Sequence, residues 1–268
     1  MRRDDVVAIY ERHQANASPG AGLGAIAVDE VMWVQGLVER HRPQQFLEIG
    51  MASGLSAGVL AHVLGEHGAR HLTTVDYDNT FFGDHTKENG YLIESIYPDG
   101  PVTIEKLPFT VAADVVALGR DYDMAFIDAN HQQPYPLLDT LCIWPALTGA
   151  KIVIHHDLRL YKDQAVPFGI GPKYVFDQFP DTARIRSEAR GGNIFALDLS
   201  EISREQIERI AVDGLLLPWT MRTPMPGWIR KKTRRVLREH YSPQVLEAFD
   251  TGLERYNVPY AVGGPARS

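Results

Sequence analysis

The chain has 268 residues, of which 44% are hydrophobic and 23% charged, a composition typical of a globular protein with room for one large α/β domain and an added segment. Its formal net charge of −7 argues against a nucleic-acid partner, since binding DNA or RNA needs a basic surface that displaces counterions. No apolar run reaches the roughly 18 to 20 residues of a membrane span, and none follows the N-terminus as a signal peptide would, so we expect a cytoplasmic protein with no membrane span.

Helical and strand patterns alternate over the first two thirds of the chain. Apolar residues at helical spacing predict a helix over 28–41, and the apolar run from Gln45 predicts the first strand. The alternation continues with predicted helices over 55–65, 84–96, 111–118 and 136–144 and predicted strands over 71–76, 102–106, 124–128 and 151–156. This succession predicts a doubly wound parallel sheet with helices on both faces, in which ligands bind outside the carboxyl ends of the strands.

The pattern changes after the fifth predicted strand. Residues 159–179 are rich in Tyr, Pro and Gly and predict an ordered loop over the site. Residues 183–188 and 193–199 predict two strands with Gly191-Gly192 in the turn between them, as an antiparallel edge of the sheet. Residues 201–268 contain helical stretches interrupted by prolines. We therefore expect a main domain over 1–200 and a C-terminal helical appendage over 201–268.

The first predicted strand runs directly into a glycine-containing turn. From Glu48 to Gly54 the spacing is Glu-x-Gly-x-x-x-Gly, and a predicted helix follows. Glycine lets the backbone turn sharply and approach a ligand closely, while the helix directs free N–H groups toward it. The spacing differs from the dinucleotide fingerprint and from the phosphate-binding loop, and no lysine follows, so a nucleotide phosphate is not the expected ligand. Similar turns also close many ordinary strand-to-helix connections.

A carboxylate, Asp76, ends the second predicted strand, where it can accept hydrogen bonds from ribose hydroxyls. Together the two segments resemble the class I S-adenosylmethionine-dependent methyltransferases, whose Rossmann-like sheet is mostly parallel with an antiparallel edge strand. The resemblance implies S-adenosylmethionine as the cofactor, with the glycine turn around its amino-acid part and Asp76 at its ribose. The residues assigned to the cofactor in this way are Glu48, Gly50, Ala52, Ser53, Gly54, Asp76 and Tyr77.

Polar residues also follow the fourth and fifth predicted strands. Asp128 and His131 follow the fourth, and His156 and Asp157 follow the fifth. Because the carboxyl ends of parallel strands meet at one edge of a sheet, these four side chains are expected to converge beside the cofactor. Two carboxylates suit a hard cation such as Mg²⁺, and a neutral imidazole can accept a proton. His155 alternates to the opposite face of its strand and is expected to be structural.

This second pattern resembles the metal-dependent O-methyltransferases that act on sugar hydroxyls of macrolides and related natural products, and their relatives that modify glycans. The resemblance covers residues 26–200 and implies a divalent cation on Asp128, His156 and Asp157, with His131 as general base. It also implies methylation of a hydroxyl on a sugar, a glycan or a glycosylated metabolite. His156 departs from the family, which usually has a carboxylate there. Imidazole binds Mg²⁺ less well than Mn²⁺ or Zn²⁺, so Mg²⁺ is expected and Mn²⁺ is the alternative.

Other functions fit the same residues. A catechol-like phenol ionises readily enough for a cation alone to activate it. A methyltransferase-like fold can also bind the cofactor without transferring a methyl group, or support a metal-dependent hydroxylase or hydrolase, because function belongs to the site rather than the scaffold. His131 can instead orient a ligand of the cation, and an aspartate at a strand end is often only a helix cap.

The C-terminal segment carries a basic stretch with six cations within residues 229–238. Such a concentration suggests contact with anionic lipid or an acidic glycan, although a solvated or subunit-facing helix explains it better. The single cysteine, Cys142, excludes an intrachain disulfide and is expected to be a core residue. The expected partners are a small-molecule or oligosaccharide acceptor and a second copy of the chain in a homodimer.

Overall fold

The computed structural model describes residues 1–14, 22–24, 26–188 and 192–258. Seven strands of this described part form one sheet: β1 (Gln45–Ile49), β2 (His71–Val75), β3 (Thr103–Leu107), β4 (Tyr122–Ile127), β5 (Leu147–His155), β6 (Arg184–Arg186) and β7 (Phe195–Asp198). Their order across the sheet is β3-β2-β1-β4-β5-β7-β6. The first five strands run parallel, and β7 runs antiparallel to both of its neighbours. This confirms the Rossmann-like, mostly parallel sheet, with the reversed strand one place in from the edge.

Helices cover both faces of the sheet. They are α1 (Arg3–His13), α2 (Val28–His41), α3 (Leu55–Glu66), α4 (Ile93–Ile96), α5 (Tyr135–Ile143), α6 (Gly171–Gln178), α7 (Arg204–Leu215), α8 (Gly227–His240) and α9 (Pro243–Tyr256). Helices α2, α3 and α4 pack on one face of the sheet and form the first layer. Helices α5 to α9 pack on the other face and form the second layer. In β4, Met124 and Phe126 face the first layer while Ala125 and Ile127 face the second. Burial on both sides explains why the strand is apolar from Met124 to Ile127.

The helix predicted over 84–96 is wrong for most of its length. Only Ile93–Ile96 is helical, and an isolated antiparallel bridge joins Thr80 and Glu88 before it. Gly90 accounts for the difference, because its φ of +73° leaves the helical region and its N–H donates to the carbonyl of Ala52 at 2.8 Å. This segment therefore supports the glycine turn after β1 instead of continuing a helix.

Two further predictions need correction. The helix predicted over 111–118 is a 3₁₀ helix, Ala112–Leu118. The loop predicted over 159–179 contains a short 3₁₀ helix, Leu160–Lys162, and also α6, which has Pro172 in its first turn where a missing N–H costs no hydrogen bond. The two late strands form as predicted, whereas Gly191 of the predicted turn lies outside the described residues.

The C-terminal helices share a hydrophobic core with the sheet. Buried side chains of α7, α8 and α9 belong to the same cluster as those of β4, β5 and α5. The hydroxyl of Tyr241 donates to the carbonyl of Leu141 at 2.6 Å, and Trp219 packs near Phe249 with ring centroids 6.0 Å apart. Residues 204–256 are thus packed onto α5 rather than held apart from it. Among the described residues, none of the helices combines the length and apolar character that a membrane crossing requires.

The basic stretch lies on α8, whose apolar side faces the core. Ile229, Val236 and Leu237 are buried there, while most of the cations are exposed. Two cations are ion-paired within the chain, Lys232 with Asp114 at 2.8 Å and Arg234 with Asp250 at 2.6 Å.

Candidate active site

The turn between β1 and α3 depends on two glycines. Gly50 has a φ of +104°, and a Cβ added there would lie 2.2 Å from the carbonyl oxygen of Asp128. Gly54 caps α3 with a φ of +83°, and a Cβ there would lie 2.7 Å from Cα of Gly90. Only glycine fits at both positions, since other residues are strained at such φ values and their Cβ would collide with backbone. The turn is therefore pressed directly against the loop that follows β4.

Asp76, at the end of β2, lies beside this turn. Its Oδ2 atom accepts hydrogen bonds from the N–H groups of Met51 at 2.9 Å and Ala52 at 3.2 Å, and its Oδ1 atom accepts one from the N–H of Asp78 at 3.2 Å. Burial raises the pKa of Asp76 above its ordinary value even though these N–H groups counteract it. The carboxylate both fixes the turn and lines the adjacent cavity.

Glu48 and Ser53, which the sequence assigns to the cofactor, are fully buried and lie behind the turn. Oε2 of Glu48 accepts a hydrogen bond from the Thr74 hydroxyl, whereas Oε1 has no partner among the described residues. Burial raises the pKa of Glu48 to about 8. The hydroxyl of Ser53 donates to the carbonyl of Leu23. Neither residue lines the cavity beside Asp76, so the side chains of both support the turn from within the protein.

A cavity of about 430 Å³ opens on the other side of the turn. The predicted residues Gly50, Ala52, Asp76 and Tyr77 line it. Further lining residues, not identified from the sequence, come from the loop after β3, from α5 and from the C-terminal segment: Thr110, Val111, Ala112, Ala113, Tyr135, Leu138, Asp139, Cys142, Thr223, Pro226, Ile229 and Thr233. Tyr77 stacks on Trp228 of α8, with ring centroids 5.7 Å apart. The C-terminal segment thus forms one wall of the cavity.

A second cavity of about 700 Å³ lies on the far side of the loop after β4. The N-terminal region contributes to its wall through Tyr10, Gln14 and residues 22–24. Ala52, Phe82, Asp128 and Ala129 line both cavities, which therefore meet at this point. His131, His156 and Asp157 line only the second cavity of the two.

The four polar residues after β4 and β5 converge as predicted. Each of Asp128, His131, His156 and Asp157 offers one ligand atom, and these atoms lie within 4.8 Å of one another. Nε2 of His131 lies 3.1 Å from Oδ1 of Asp128 and 3.3 Å from Oδ2 of Asp157. Nδ1 of His156 lies 3.2 Å from the same Oδ1 of Asp128 and 3.5 Å from Oδ1 of Asp157.

Two residues that the sequence did not identify hold this cluster in place. Glu30, in the first turn of α2, lies with its Oε2 atom 3.0 Å from Nε2 of His156. Asn193 donates from Nδ2 to Oδ1 of Asp157 at 2.7 Å. Asp157 has a φ of +60°, a conformation uncommon outside glycine, which the surrounding contacts must maintain.

The charges in the cluster stabilise one another. Burial works to lower the pKa of His156, but the carboxylates around it, Asp128 foremost, outweigh burial and hold that pKa well above its ordinary value. Burial likewise works to raise the pKa of Asp128, but the imidazoles of His156 and His131 hold it below its ordinary value. The geometry therefore favours an ionised Asp128 beside a protonated His156.

His155 lies on the opposite face of β5 and takes no part in the cluster. Its Nε2 atom is 3.0 Å from the hydroxyl of Thr140, and its ring stacks on Phe195 with centroids 5.1 Å apart. Burial lowers the pKa of His155 to about 3, so it stays neutral. This is the structural role expected from strand alternation.

The donor set of the cluster fits a divalent cation. A cation with ligand bonds of about 2.1 Å places opposite ligands roughly 4.2 Å apart, and the four donor atoms already lie within 4.8 Å of one another. Carboxylate oxygens suit Mg²⁺ and Mn²⁺, whereas imidazole favours Mn²⁺ or Zn²⁺ over Mg²⁺. The four ligand residues line the second cavity, so waters or a substrate oxygen can reach a cation bound there.

Comparisons with known proteins bear on the fold. Residues 47–158 match the model of a family described as a methyltransferase domain. The chain is similar to the methyltransferase PaMTH1 of Podospora anserina, solved with S-adenosylhomocysteine (SAH), at 17% identity over 72% of this chain and 87% of that one, with a TM-score of 0.54. It is also similar to the O-methyltransferase TomG of Streptomyces achromogenes, involved in tomaymycin synthesis and solved with S-adenosylmethionine, at 17% identity over 74% of this chain and 91% of that one, with a TM-score of 0.52.

A search of curated proteins finds no match. At 17% identity the two structural similarities establish the fold alone. The chain therefore has the Rossmann-like methyltransferase fold. The matched segment, 47–158, takes in nearly all of β1 to β5, the glycine turn after β1 and the polar residues that follow β4 and β5.

Proposed function

We propose that the protein is an S-adenosylmethionine-dependent O-methyltransferase assisted by a divalent cation. The observation that carries the proposal is the junction of the two cavities, where Asp128 and Ala129 line both. One cavity contains the glycine turn and Asp76, and the other contains the Asp–His cluster. A donor in the first cavity and an acceptor in the second would meet at this junction.

The first cavity suits the cofactor. Bound S-adenosylmethionine would supply an electrophilic methyl group on its sulfonium. Gly50 and Ala52 would hold its amino-acid part through close backbone approach, and Asp76 would accept hydrogen bonds from its ribose. Gly54, which lies against Gly90 and does not line this cavity, would keep the turn tight. Tyr77 lines the same cavity, while Glu48 and Ser53 would act by holding the turn. The similarity to PaMTH1 and TomG, each solved with this cofactor or its product, supports the assignment.

The second cavity suits activation of a hydroxyl. Asp128, His156 and Asp157 would hold the cation, which lowers the pKa of a bound hydroxyl. His131 would accept the hydroxyl proton at Nε2 as the oxygen attacks. The cofactor would supply the methyl group to this oxygen and its sulfur would keep the electron pair of the broken S–C bond, so the products would be the methyl ether and SAH.

A sugar hydroxyl is the acceptor we favour. Such a hydroxyl is weakly acidic, and the site offers both a cation-binding cluster and an adjacent imidazole to activate it. Phe82 lines both cavities and is 59% exposed, so its ring can cover the apolar face of a sugar beside the junction. A phenolic acceptor would need the cation but depend much less on His131.

Calorimetry tests the cofactor and the cation separately. S-adenosylmethionine is titrated into chelator-treated protein, and the titration is repeated with Mg²⁺ and with Mn²⁺. We expect the cofactor to bind, and we expect a separate heat of metal binding that disappears in the Asp157→Ala variant. Lack of cofactor binding would overturn the methyltransferase assignment, and cofactor binding without a metal heat would leave His131 as the sole activator.

The acceptor class has its own test. Purified protein with cofactor and Mn²⁺ is offered glycosylated metabolites and catechols, and SAH formation is measured. Turnover of sugars that requires His131 supports the proposal. Turnover of catechols that survives in a His131→Ala variant identifies a phenol methyltransferase instead.

A further inference from the structure

A third cavity, of about 260 Å³, lies between the segment after β5, helix α6 and the adjoining ends of β6 and β7. Four cationic side chains line this basic cavity: Arg159, Lys162, Lys173 and Arg186. No acidic residue of the described part of the chain joins them in the lining. Like charges gathered around one opening repel one another, and the chain as a whole has a net charge of −7. An anion bound in the cavity would offset this repulsion.

The protein neutralises these cations only in part. Lys173 pairs with Asp177 on the same helix, and Arg186 pairs with Asp181 at 2.9 Å. Ion pairs between side chains this exposed contribute little, so both cations remain available to a stronger partner. The other two cations, on the segment after β5, have no carboxylate partner among the described residues. The basic cavity is therefore prepared for a negatively charged group.

The size and chemistry of the basic cavity fit one oxyanion group. Sites for whole small molecules usually measure about 300–1,000 Å³, so a cavity of about 260 Å³ suits one substituent of a larger ligand. Ammonium and guanidinium groups donate charge-assisted hydrogen bonds to phosphate or sulfate oxygens, and an arginine can donate two at once. The ring of Phe176, which also lines the cavity, lies 5.1 Å from the guanidinium carbon of Arg186 and helps to hold that group in place.

Asn193 joins the basic cavity to the Asp–His cluster. Its Nδ2 atom donates to Oδ1 of Asp157 at 2.7 Å, and its Oδ1 atom accepts a hydrogen bond from the backbone N–H of Arg159 at 2.8 Å. Arg159 follows Asp157 by two residues, which span at most about 7 Å. A molecule with a hydroxyl at the cluster can therefore reach the basic cavity with a neighbouring substituent.

We propose, on the basis of the function proposed above, that the basic cavity binds a phosphate or sulfate group of the acceptor. The substrate is then an anionic sugar or glycan. The oxyanion would accept hydrogen bonds from Arg159 and Lys162, while Lys173 and Arg186 add positive charge around it. Because this contact fixes one end of the acceptor, it would also select the hydroxyl that is presented to the cluster.

Inorganic phosphate and inorganic sulfate are the simplest probes of the basic cavity. Each is titrated by calorimetry into the full-length, chelator-treated protein in about 0.1 M salt, which screens distant charges. We expect saturable binding of at least one anion. The affinity should fall about tenfold or more in Arg159→Gln and in Lys162→Gln, since each variant loses a charge-assisted hydrogen bond.

Arg209→Gln is the matched control for these variants. It removes the same charge from an exposed position on α7 outside the cavity, so the affinity should change less than twofold. Absence of saturable binding of both anions would overturn the proposal. Wild-type affinity in Arg159→Gln and Lys162→Gln would overturn it as well, because the anion would then bind elsewhere.

Turnover tests whether the anion belongs to the acceptor. Hexose phosphates, hexose sulfates and the free hexoses are offered with cofactor and Mn²⁺, and SAH formation is measured. We expect turnover of the esters, with a KM at least tenfold higher in Arg159→Gln and a kcat within about twofold of wild type, as for a contact that only binds. The better ester distinguishes phosphate from sulfate. A higher kcat/KM for the free hexoses would overturn the proposal.

The outcomes also separate the basic cavity from the proposed function. Protein that binds phosphate or sulfate at Arg159 but does not bind SAH contradicts the methyltransferase assignment and leaves the anion site intact. Protein that binds SAH but neither anion keeps that assignment and rejects the basic cavity as part of the acceptor site.

Discussion

Nε2 of His156 lies 3.0 Å from Oε2 of Glu30, although 126 residues separate the two in the chain. The same Glu30 oxygen accepts a hydrogen bond from the N–H of Ala27 at 2.8 Å and so caps α2. With its Nε2 atom on Glu30, the ring of His156 turns Nδ1 toward Asp128 and Asp157. Carboxylates that hold a histidine ring in this way fix which nitrogen is presented to a metal.

We therefore expect Glu30→Ala to weaken Mn²⁺ binding about ten- to a hundredfold, the usual cost of losing such a partner. The change frees the ring of His156 without removing any ligand atom. Calorimetric titration of Mn²⁺ into chelator-treated protein measures the effect.

Two further variants serve as controls. Glu30→Gln keeps an oxygen that can accept from both Ala27 and His156, so its affinity should lie much closer to wild type. Asp29→Asn alters the neighbouring exposed carboxylate, which pairs with Arg3, and should leave the affinity unchanged. Wild-type affinity in folded Glu30→Ala would show that Glu30 serves only the helix.

His131→Ala should lower kcat about 10²- to 10⁴-fold, the typical contribution of a general base. Its Nε2 atom faces Asp128 and Asp157 in the second cavity, and His131 does not line the first, so SAH affinity should change less than twofold. Steady-state kinetics and calorimetry give the two quantities. If His131 instead helps to hold the cation, Mn²⁺ affinity will fall together with kcat, and excess Mn²⁺ will restore much of the rate.

Gly50→Ala should destabilise the protein. The residue has a φ of +104°, which costs a side chain about 1–3 kcal/mol in strain, and its Cβ would also lie 2.2 Å from a backbone oxygen. Gly36→Ala is the matched control, because a Cβ at this position on α2 meets nothing within 4 Å. That change should stabilise the helix by about 0.5–1 kcal/mol. Urea denaturation measures the free energy of unfolding, which should fall in Gly50→Ala and rise in Gly36→Ala. Equal changes in the two variants would contradict the role of the backbone conformation at Gly50.

The parts of the site that could be predicted from the sequence follow from topology. Asp128 and Asp157 end neighbouring parallel strands, so their meeting at one edge is a consequence of the strand order. The segment after β3, from Thr110 to Ala113, lines the first cavity because it also follows the carboxyl end of a parallel strand. Its small, mostly apolar side chains do not indicate a binding role in the sequence.

Other parts depend on contacts that no local pattern contains. Glu30 occupies the third position of α2, where a glutamate is an ordinary capping residue, and its approach to His156 depends on how α2 packs. Thr233 is one residue of a basic amphipathic helix, and only the docking of α8 onto the sheet brings it to the cavity. The helix predicted over 84–96 failed because Gly90 donates its N–H to Ala52, a tertiary contact that overrides helix propensity.

Glu48 should make the stability of the protein depend on pH. Burial raises its pKa from 4.5 to about 8 in the folded state, so between these values the folded protein holds a proton that the unfolded chain releases. Stability is therefore lost as the pH rises through this window, and the loss is complete above about pH 8. Its size is on the order of 5 kcal/mol, because each pKa unit between the folded and unfolded values corresponds to about 1.4 kcal/mol.

Glu48→Gln removes the titrating group but keeps an oxygen for the hydroxyl of Thr74. Compared with wild type, this variant should gain stability as the pH rises from 5 to 9, as measured by urea denaturation in a pH series. Glu39→Gln, at an exposed position of α2, should follow the wild-type curve throughout. A constant difference between Glu48→Gln and wild type over this range would mean that Glu48 has the same pKa in the folded and unfolded chains, and that its burial beside Thr74 is offset by groups around it.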